Sequence, residues 1–282
     1  MHSIEHHYKR ILGYIIGLSL FFGPMALFQR GLLFLLGQTY EPTIHTLCLR
    51  IPIEHILTGR FWAMGLVSVV GTLLLLVVAF FCGPLFCGKC CPAGALPEYL
   101  AKLVPRRGQI EWGRYLPLTA LRYGFLLGFM LSPLVGSVLA CSYCNFFVLD
   151  LFINYVFWGY AVAFSSSLLL TFILWFFVFG IFTKGGRGFC NFFCPVGALQ
   201  NFCHYLGDHF GLANKLMIDG DKCVGCGKCT KVCPMEAVKI TNGQAECSIH
   251  HCILCFECEE ICPTQAISYG KESKVKTHAP KS

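Results

Sequence analysis

Cys223-Val-Gly-Cys226-Gly-Lys-Cys229-Thr-Lys-Val-Cys233-Pro234 is one copy of a cysteine run that recurs in this chain. The second copy is Cys252-Ile-Leu-Cys255-Phe-Glu-Cys258-Glu-Glu-Ile-Cys262-Pro263. Both copies read C-x-x-C-x-x-C-x-x-x-C-P. Such spacing wraps a short loop around a cubane iron–sulfur cluster, and the fourth cysteine of each run reaches the cluster of the other. A zinc site would need two C-x-x-C pairs rather than runs of four, so the pattern favours iron–sulfur clusters.

The repeated run resembles the bacterial two-cluster ferredoxins over about residues 215–270. This resemblance implies a small α+β domain that holds two [4Fe-4S] clusters and moves single electrons. It assigns the first cluster to Cys223, Cys226, Cys229 and Cys262. It assigns the second cluster to Cys252, Cys255, Cys258 and Cys233.

The rest of the chain is apolar. Of its 282 residues, 55% are hydrophobic and 13% are charged, and the mean hydropathy is +0.62. A helix needs roughly 20 residues to cross a hydrocarbon core about 30 Å thick. Four runs reach about this length, namely Ile11–Phe28, Phe61–Phe81, Leu116–Ala140 and Ala161–Phe182. The sequence therefore predicts an α-helical membrane protein with four transmembrane helices, in which Arg122 reaches from the third span to the interface.

Lysines and arginines concentrate before the first run, between the second and third, and after the fourth. By the positive-inside rule, both termini and the ferredoxin domain are expected in the cytoplasm, at a bacterial inner membrane. Lysines and arginines that anchor the spans on the cytoplasmic side account for the formal net charge of +7. Binding of nucleic acid is therefore not needed to explain this charge. The predicted organisation is a membrane domain over residues 1–200, a linker over 201–214, the ferredoxin domain over 215–270 and a polar tail over 271–282.

The apolar part also repeats itself. Cys87-Gly-Lys-Cys90-Cys91-Pro92-Ala-Gly-Ala-Leu96 is matched by Cys190-Asn-Phe-Phe-Cys194-Pro195-Val-Gly-Ala-Leu199. Two such halves imply a pseudo-two-fold axis at which the two C-x-x-x-C-P loops approach each other. The same pattern, C-x-x-x-C-P-x-x-A, ends both ferredoxin runs. There the proline stops the loop and starts a short helix under the cluster, so the two loops of the apolar part are expected to bind or face a cluster.

The cysteines of these two loops leave three interpretations open. In the first, Cys87, Cys91, Cys190 and Cys194 jointly bind one further cluster, since four thiolates suffice for a cubane and neither loop alone supplies them. In the second, they are reduced, buried thiols that shape loops on which the ferredoxin domain docks. The third is zinc or thiol–disulfide chemistry. The roles of Cys48, Cys141 and Cys144, on the predicted outer side, stay open between a disulfide and a metal site.

A quinol site would need an apolar pocket and a group that accepts protons. The candidates in the predicted outer loops are His45, Glu54, His55 and Asp150, and for each the alternative is an interfacial hydrogen-bonding role. The histidines of the predicted cytoplasmic part are expected to be solvated or to cap helices; they are His204, His209, His250 and His251. The sequence contains no glycine-rich nucleotide loop and no Ser-His-Asp arrangement, so no catalytic residue is assigned.

Four apolar runs, paired C-x-x-x-C-P motifs and a two-cluster ferredoxin together resemble the NapH/MauN family of membrane ferredoxins, from Lys9 to about Gly270. The apolar core is also similar to that of NosR, without its flavin-bearing domain, and to assembly proteins of the CcoG type, without their β-domain. The resemblance implies a quinol dehydrogenase component that takes quinol as substrate. It would pass electrons to a NapG-like iron–sulfur partner or to a terminal reductase such as the periplasmic nitrate reductase.

We therefore expect a membrane-bound electron-transfer subunit of an oxidoreductase complex, with catalysis proper in a partner enzyme. Two alternatives remain: a redox assembly or metal-reducing factor for a metalloenzyme, and an iron–sulfur redox sensor. The sequence does not determine the direction of electron flow, because cluster potentials range from about −700 to +450 mV with their surroundings.

Overall fold

The structure is a computed structural model and describes residues 2–22, 25–37, 50–57, 59, 66–135, 144–159 and 166–271. His45, Cys48 and Cys141 lie outside the described residues, and so does the predicted polar tail from residue 272 onward. The backbone of Glu54 is described, but its side chain is not.

Helices of moderate length build the part of the chain that precedes the ferredoxin domain. They are α1 (His2–Phe21), α2 (Leu27–Leu35), α3 (Arg50–Leu57), α4 (Leu66–Cys82), α5 (Pro92–Ala101), α6 (Leu118–Leu131), α7 (Asn145–Trp158), α8 (Ser166–Phe172), α9 (Gly188–Phe192) and α10 (Pro195–His209). A π-helical segment, Ile173–Ile181, continues α8, and another, Phe86–Cys90, carries the first cysteine motif.

The prediction of four transmembrane helices is wrong. Among the described residues, no helix combines the length and the apolar composition that crossing a membrane requires. Helix α1 has 20 residues, but its first three turns carry Glu5, Lys9 and Arg10. Helices α4 and α6, with 17 and 14 residues, are shorter than the roughly 20 residues of a span. The fourth apolar run forms a 7-residue α-helix that gives way to the π-helical segment. Of the predicted runs, residues 23–24, 61–65, 136–140 and 161–165 lie outside the described part.

The two halves exchange their cysteine helices. Helix α5, from the first half, packs against the segment Ile173–Ile181 of the second half, and α10, from the second half, packs along α4 of the first. Apolar side chains from both halves meet in one core, in which Phe22, Ala93, Trp175 and Phe189 are buried. The indole N–H of Trp175 donates a hydrogen bond to the carbonyl of Ala93 (3.1 Å). This crossed packing brings the two cysteine motifs to the same place.

The ferredoxin domain contains four short strands and two short helices. They are β1 (Lys215–Ile218), α11 (Lys228–Val232), β2 (Val238–Thr241), β3 (Gln244–Cys247), α12 (Glu257–Glu260) and β4 (Ile267–Gly270). Strand β1 pairs antiparallel with β4, and β2 pairs antiparallel with β3. Two-stranded sheets of four residues are marginally stable alone, so the domain also relies on its apolar core, in which Met235, Ile253 and Leu254 are buried.

The ferredoxin domain is joined to the helical part through a rigid element. Residues 201–209, which the sequence analysis assigned to a linker, form the second half of α10. After this helix, the backbone N–H of Asn214 donates to the carbonyl of Phe81 at the end of α4 (2.9 Å). The two parts therefore share a continuous interface.

Candidate iron–sulfur centres

Four cysteines of the ferredoxin domain line a cavity near its surface, named here the outer cavity. They are Cys223, Cys226, Cys229 and Cys262. The side chain of Cys226 is exposed. Backbone N–H groups point at two of the sulfurs, with Ala245 N 3.4 Å from Cys223 Sγ and Ala266 N 3.3 Å from Cys262 Sγ. Such bonds stabilise thiolates and raise the potential of a bound cluster.

The other four cysteines of the ferredoxin domain line a second, deeper space, the inner cavity. They are Cys233, Cys252, Cys255 and Cys258, and all four are buried. The backbone N–H of Ala237 donates to Cys233 Sγ (3.2 Å). No charged side chain is among the described residues that line this cavity. The two cavities thus separate the eight cysteines into the two sets that the ferredoxin resemblance implies.

A third cavity, the core cavity, lies between the two halves of the helical part. Cysteines from both halves line it: Cys87, Cys91, Cys190 and Cys194. Three of them are buried, and Cys190 is half-buried. Two buried arginines, Arg122 and Arg187, line the same cavity. The tertiary structure therefore brings together the four cysteines that the internal repeat singled out.

The local sequence explains why the second cysteine of each C-x-x-x-C-P motif lies at the start of a helix. Cys91 and Cys194 are the N-cap residues of α5 and α10, and a proline follows each at the first helical position. Proline suits this position because its fixed φ is helical and its missing N–H would have no partner there. The N–H of Gly197 points at Cys194 Sγ (3.5 Å). A helix N-terminus stabilises negative charge, so it favours the thiolate that binds a metal.

The three cavities fit the same kind of group. Each of them is lined by four cysteine side chains. Within the described residues, no three His, Cys, Asp or Glu side chains converge as ligands of a single metal ion do. A cubane differs from a single ion because each of its ligands binds a different iron, so the relevant geometry is four thiols around one space. None of the twelve cysteines that line the cavities forms a disulfide.

Burial controls the protonation of these thiols. It raises the pKa of Cys91 to about 11 and that of Cys233 to about 12. It also raises the pKa of Cys255 to about 11, although Arg10 acts in the opposite direction. Without a metal these thiols are protonated at neutral pH, and binding of iron releases their protons.

The inner and core cavities share a wall. Met235 and Ile253 line both of them, and the two side chains are 1% and 3% exposed. The side-chain amide of Asn191 holds this wall in place by donating to the carbonyl of Met235 (3.0 Å). One layer of apolar side chains therefore separates the two spaces, and water is excluded from it.

Buried charges connect the ferredoxin domain to the cysteine loops. Arg10 Nη2 lies 2.9 Å from Glu98 Oε1, and Arg187 Nε lies 2.5 Å from Glu98 Oε2. Arg10 also pairs with Glu257 of α12. Burial raises the pKa of Glu98, but Arg187 and Arg10 outweigh it and hold this pKa below its usual value. This network links α1, α5 and α12 to the loop that precedes Cys190.

The structure places two of the quinol candidates away from the cavities. His55 is half-buried on α3, and Asp150 is buried on α7, where it accepts a hydrogen bond from Asn154 Nδ2 (3.1 Å). Neither residue lines any of the three cavities described above. His45 and the side chain of Glu54 lie outside the described part of the chain.

Three polar residues lie in surroundings other than those predicted from the sequence. Arg122 was predicted to reach an interface, but it is 1% exposed and lines the core cavity. His204 and His251 were expected to be solvated or capping, and both are buried. The imidazole of His251 lies 2.6 Å from Oδ1 of Asn191, whose amide donates to the carbonyl of Met235. For Arg122, the available signal was its position as a charged residue inside an apolar run. Such a residue indicates a buried partner as readily as a membrane interface.

Two protein families match the chain. The 4Fe-4S dicluster domain family matches residues 215–263. The family described as a 4Fe-4S binding domain matches twice, at residues 64–110 and 167–212. These two matches coincide with the internal repeat, and each contains one C-x-x-x-C-P motif.

Curated relatives are found in archaea and bacteria. The uncharacterized protein MJ0750 of Methanocaldococcus jannaschii is 31% identical over 203 residues, which are 67% of this chain and 72% of that protein. The methylamine utilization ferredoxin-type protein MauN of Methylobacillus flagellatus is 28% identical over 188 residues, 65% of this chain and 59% of MauN. YccM of Escherichia coli, named as an electron transport protein, is 25% identical over 192 residues, 64% of this chain and 49% of YccM. The chain thus spans half to three fifths of the length of MauN and YccM. No solved structure matches the chain.

Proposed function

We propose that this chain, which belongs to the same family as MJ0750, is an iron–sulfur electron-transfer protein that relays single electrons between three [4Fe-4S] clusters. The clusters supply reversible one-electron oxidation and reduction. The ferredoxin cysteines would hold two of them, in the outer and inner cavities. The third would be shared by the two halves of the helical part, in the core cavity.

The core cavity carries this proposal. Each half contributes two thiols, Cys87 and Cys91 from the first and Cys190 and Cys194 from the second, and all four line one space. Neither half has enough thiols there to complete a cubane by itself. The N-cap position of Cys91 and Cys194 and the hydrogen bond from Gln200 Nε2 to Cys87 Sγ (3.4 Å) favour thiolates.

Exposure and a shared wall distinguish the three cavities. Cys226, beside the outer cavity, is exposed, and the neighbouring Val224 is 67% exposed, so a partner protein can approach there. The inner cavity is buried and shares the wall of Met235 and Ile253 with the core cavity. The chain would thus hold one centre near the surface and two buried centres that adjoin across Met235 and Ile253.

The electron donor and acceptor are proposals from the resemblance alone. The printed names of MauN and YccM, a ferredoxin-type protein and an electron transport protein, support partners that exchange electrons. A quinol as donor, and a NapG-like protein or terminal reductase as acceptor, stay predictions. The cytoplasmic position of the ferredoxin domain also stays a prediction.

The test is a count of iron and labile sulfide in the full chain, purified without oxygen. We expect about twelve irons per chain in the native protein and about eight in the variant Cys91→Ala/Cys194→Ala. Cys203→Ala is the matched control, because Cys203 is half-buried on α10 and lines none of the three cavities. About eight irons in the native protein, unchanged in the double variant, would overturn the third cluster.

A further inference from the structure

Arg122 is a buried charge whose partners are neutral. It lies on α6, is 1% exposed and lines the core cavity. Its Nη2 donates to Asn201 Oδ1 (2.7 Å) and its Nη1 points at Asn191 Oδ1 (3.4 Å). Its Nε is buried without a hydrogen-bond partner, and no carboxylate pairs with it in the described part of the chain.

Arg187, the other arginine of this cavity, is different. It is equally buried, but it is paired with Glu98, which also pairs with Arg10. Its charge is therefore compensated within the protein. Arg122 has no such compensation, and a buried guanidinium without an anion is strongly unfavourable.

The four cysteines that line the core cavity together with Arg122 can become anionic. Four neutral thiols would leave the guanidinium uncompensated. Four thiolates on a [4Fe-4S] cluster carry a net negative charge in both oxidation states, so this occupant supplies the missing anion.

The glycines of the two C-P-x-G loops make room for the guanidinium groups. A Cβ atom at Gly197 would lie 3.2 Å from Arg122 Nη2, and one at Gly94 would lie 2.6 Å from Arg187 Nη1. At the same position the two ferredoxin runs have Glu236 and Gln265. The glycine that distinguishes the core loops from the ferredoxin loops thus allows an arginine to approach each loop closely.

We propose that Arg122 is a positioning residue that compensates the charge of the cluster in the core cavity and raises its reduction potential. This inference rests on the proposed third cluster. Reduction adds one negative charge, and a cation fixed in a medium of low dielectric stabilises the reduced state more than the oxidised state. Charge and hydrogen bonds near the cluster are among the factors that set its potential.

The test is a redox titration of the cluster-loaded full chain, followed by electron paramagnetic resonance. In Arg122→Gln, which removes the charge and keeps donors for Asn201, we expect one midpoint potential to move to a more negative value and the others to stay. Arg122→Lys should stay closer to the native potential. Arg114→Gln is the control, because the side chain of Arg114 is 74% exposed and paired with Glu111.

Each outcome decides the proposal. An unchanged midpoint in Arg122→Gln with the native iron content would overturn it. Loss of the cluster in Arg122→Gln but not in Arg122→Lys would support a requirement for the positive charge. Loss of the cluster in both variants would overturn the proposal, because it would show that the shape of the arginine side chain matters rather than its charge. Gly197→Ala, which crowds the guanidinium, should shift the same midpoint by less. Failure of the proposed function is distinct, since the native protein would then contain about eight irons and show no third centre.

Discussion

Cys91 and Cys194 adopt the same backbone conformation at equivalent positions of the two halves, with φ −79°, ψ 105° and φ −77°, ψ 107°. Each caps a helix that begins with proline, and both thiols face the core cavity. Because the halves exchange their cysteine helices, these equivalent residues line one space instead of two separate ones. The internal repeat therefore builds a single site from two halves.

The single shared site predicts how cysteine substitutions combine. Cys87→Ser in the first half and Cys190→Ser in the second should each remove about four irons per chain, and the double variant should lose no more than either alone. The measurement is iron and labile sulfide content with the visible spectrum of each variant. Two independent clusters, one in each half, would instead give additive losses, and that result would contradict a shared site.

Glu98 is expected to be essential for stability, because it lies between the buried Arg10 and Arg187. Glu98→Gln leaves the buried Arg187 without its carboxylate partner and Arg10 with Glu257 alone, and should lower the free energy of unfolding by about 3–5 kcal/mol. Denaturant unfolding under anaerobic conditions measures this. The matched control, Glu111→Gln, removes a more exposed carboxylate that pairs with Arg114 and Lys184, and should cost at most about 1 kcal/mol.

His204 predicts a dependence of stability on pH. Burial lowers its pKa below the ordinary value of 6.5, although a hydrogen bond to the carbonyl of Asn214 acts in the opposite direction. The folded chain therefore holds this histidine neutral, while the unfolded chain takes up a proton as the pH falls below 6.5. The stabilisation is complete above this pH and is lost as the pH falls towards the folded pKa.

The pH effect is measured as the difference in thermal unfolding midpoint between pH 7.5 and 5.5 (about two units, spanning the ordinary histidine pKa). We expect a smaller difference in His204→Gln than in the native protein. His209→Gln, at an exposed position of the same helix, should behave as the native protein does. Equal differences in all three proteins would show that other groups cause the acid sensitivity.

The outer cavity should lose its metal first. Its ligand set includes the exposed Cys226, whereas all four cysteines of the inner cavity are buried. Brief treatment with an oxidant and a chelator should remove about a third of the iron, if three clusters are present. Thiol alkylation followed by mass spectrometry should then label Cys226 and its three cavity partners before Cys91 or Cys255. Simultaneous labelling of all three cavities would contradict this order.

The local patterns predicted the chemistry of the chain. A protein that binds [4Fe-4S] clusters was predicted from cysteine spacing, and the two family matches confirm it. Spacing is sufficient here because each C-x-x-C-x-x-C run is a short loop whose geometry depends on its own residues. The NapH and NosR resemblance, the quinol and the partner reductase stay predictions, since no local pattern in this chain identifies a substrate.

The apolar runs were less informative, and the membrane spans predicted from them were wrong. Hydropathy measures the composition of the chain. It does not tell whether an apolar side chain faces a bilayer or another part of the protein. Trp175 belongs to the fourth predicted run, yet it is 2% exposed and packs in a core that both halves build. The backbone around it is π-helical rather than a continuous α-helix.

The sequence by itself thus determined which cysteines act together within each loop and that the two halves repeat each other. Only the tertiary structure decided that both halves open into one cavity, that Met235 and Ile253 separate it from the ferredoxin domain, and that Arg122 lies beside it. These relations join residues far apart in the chain, as do the pairs of Glu98 with Arg10 and Arg187, 88 and 89 residues away. Buried charges and shared walls depend on packing between distant segments, and no local spacing encodes that.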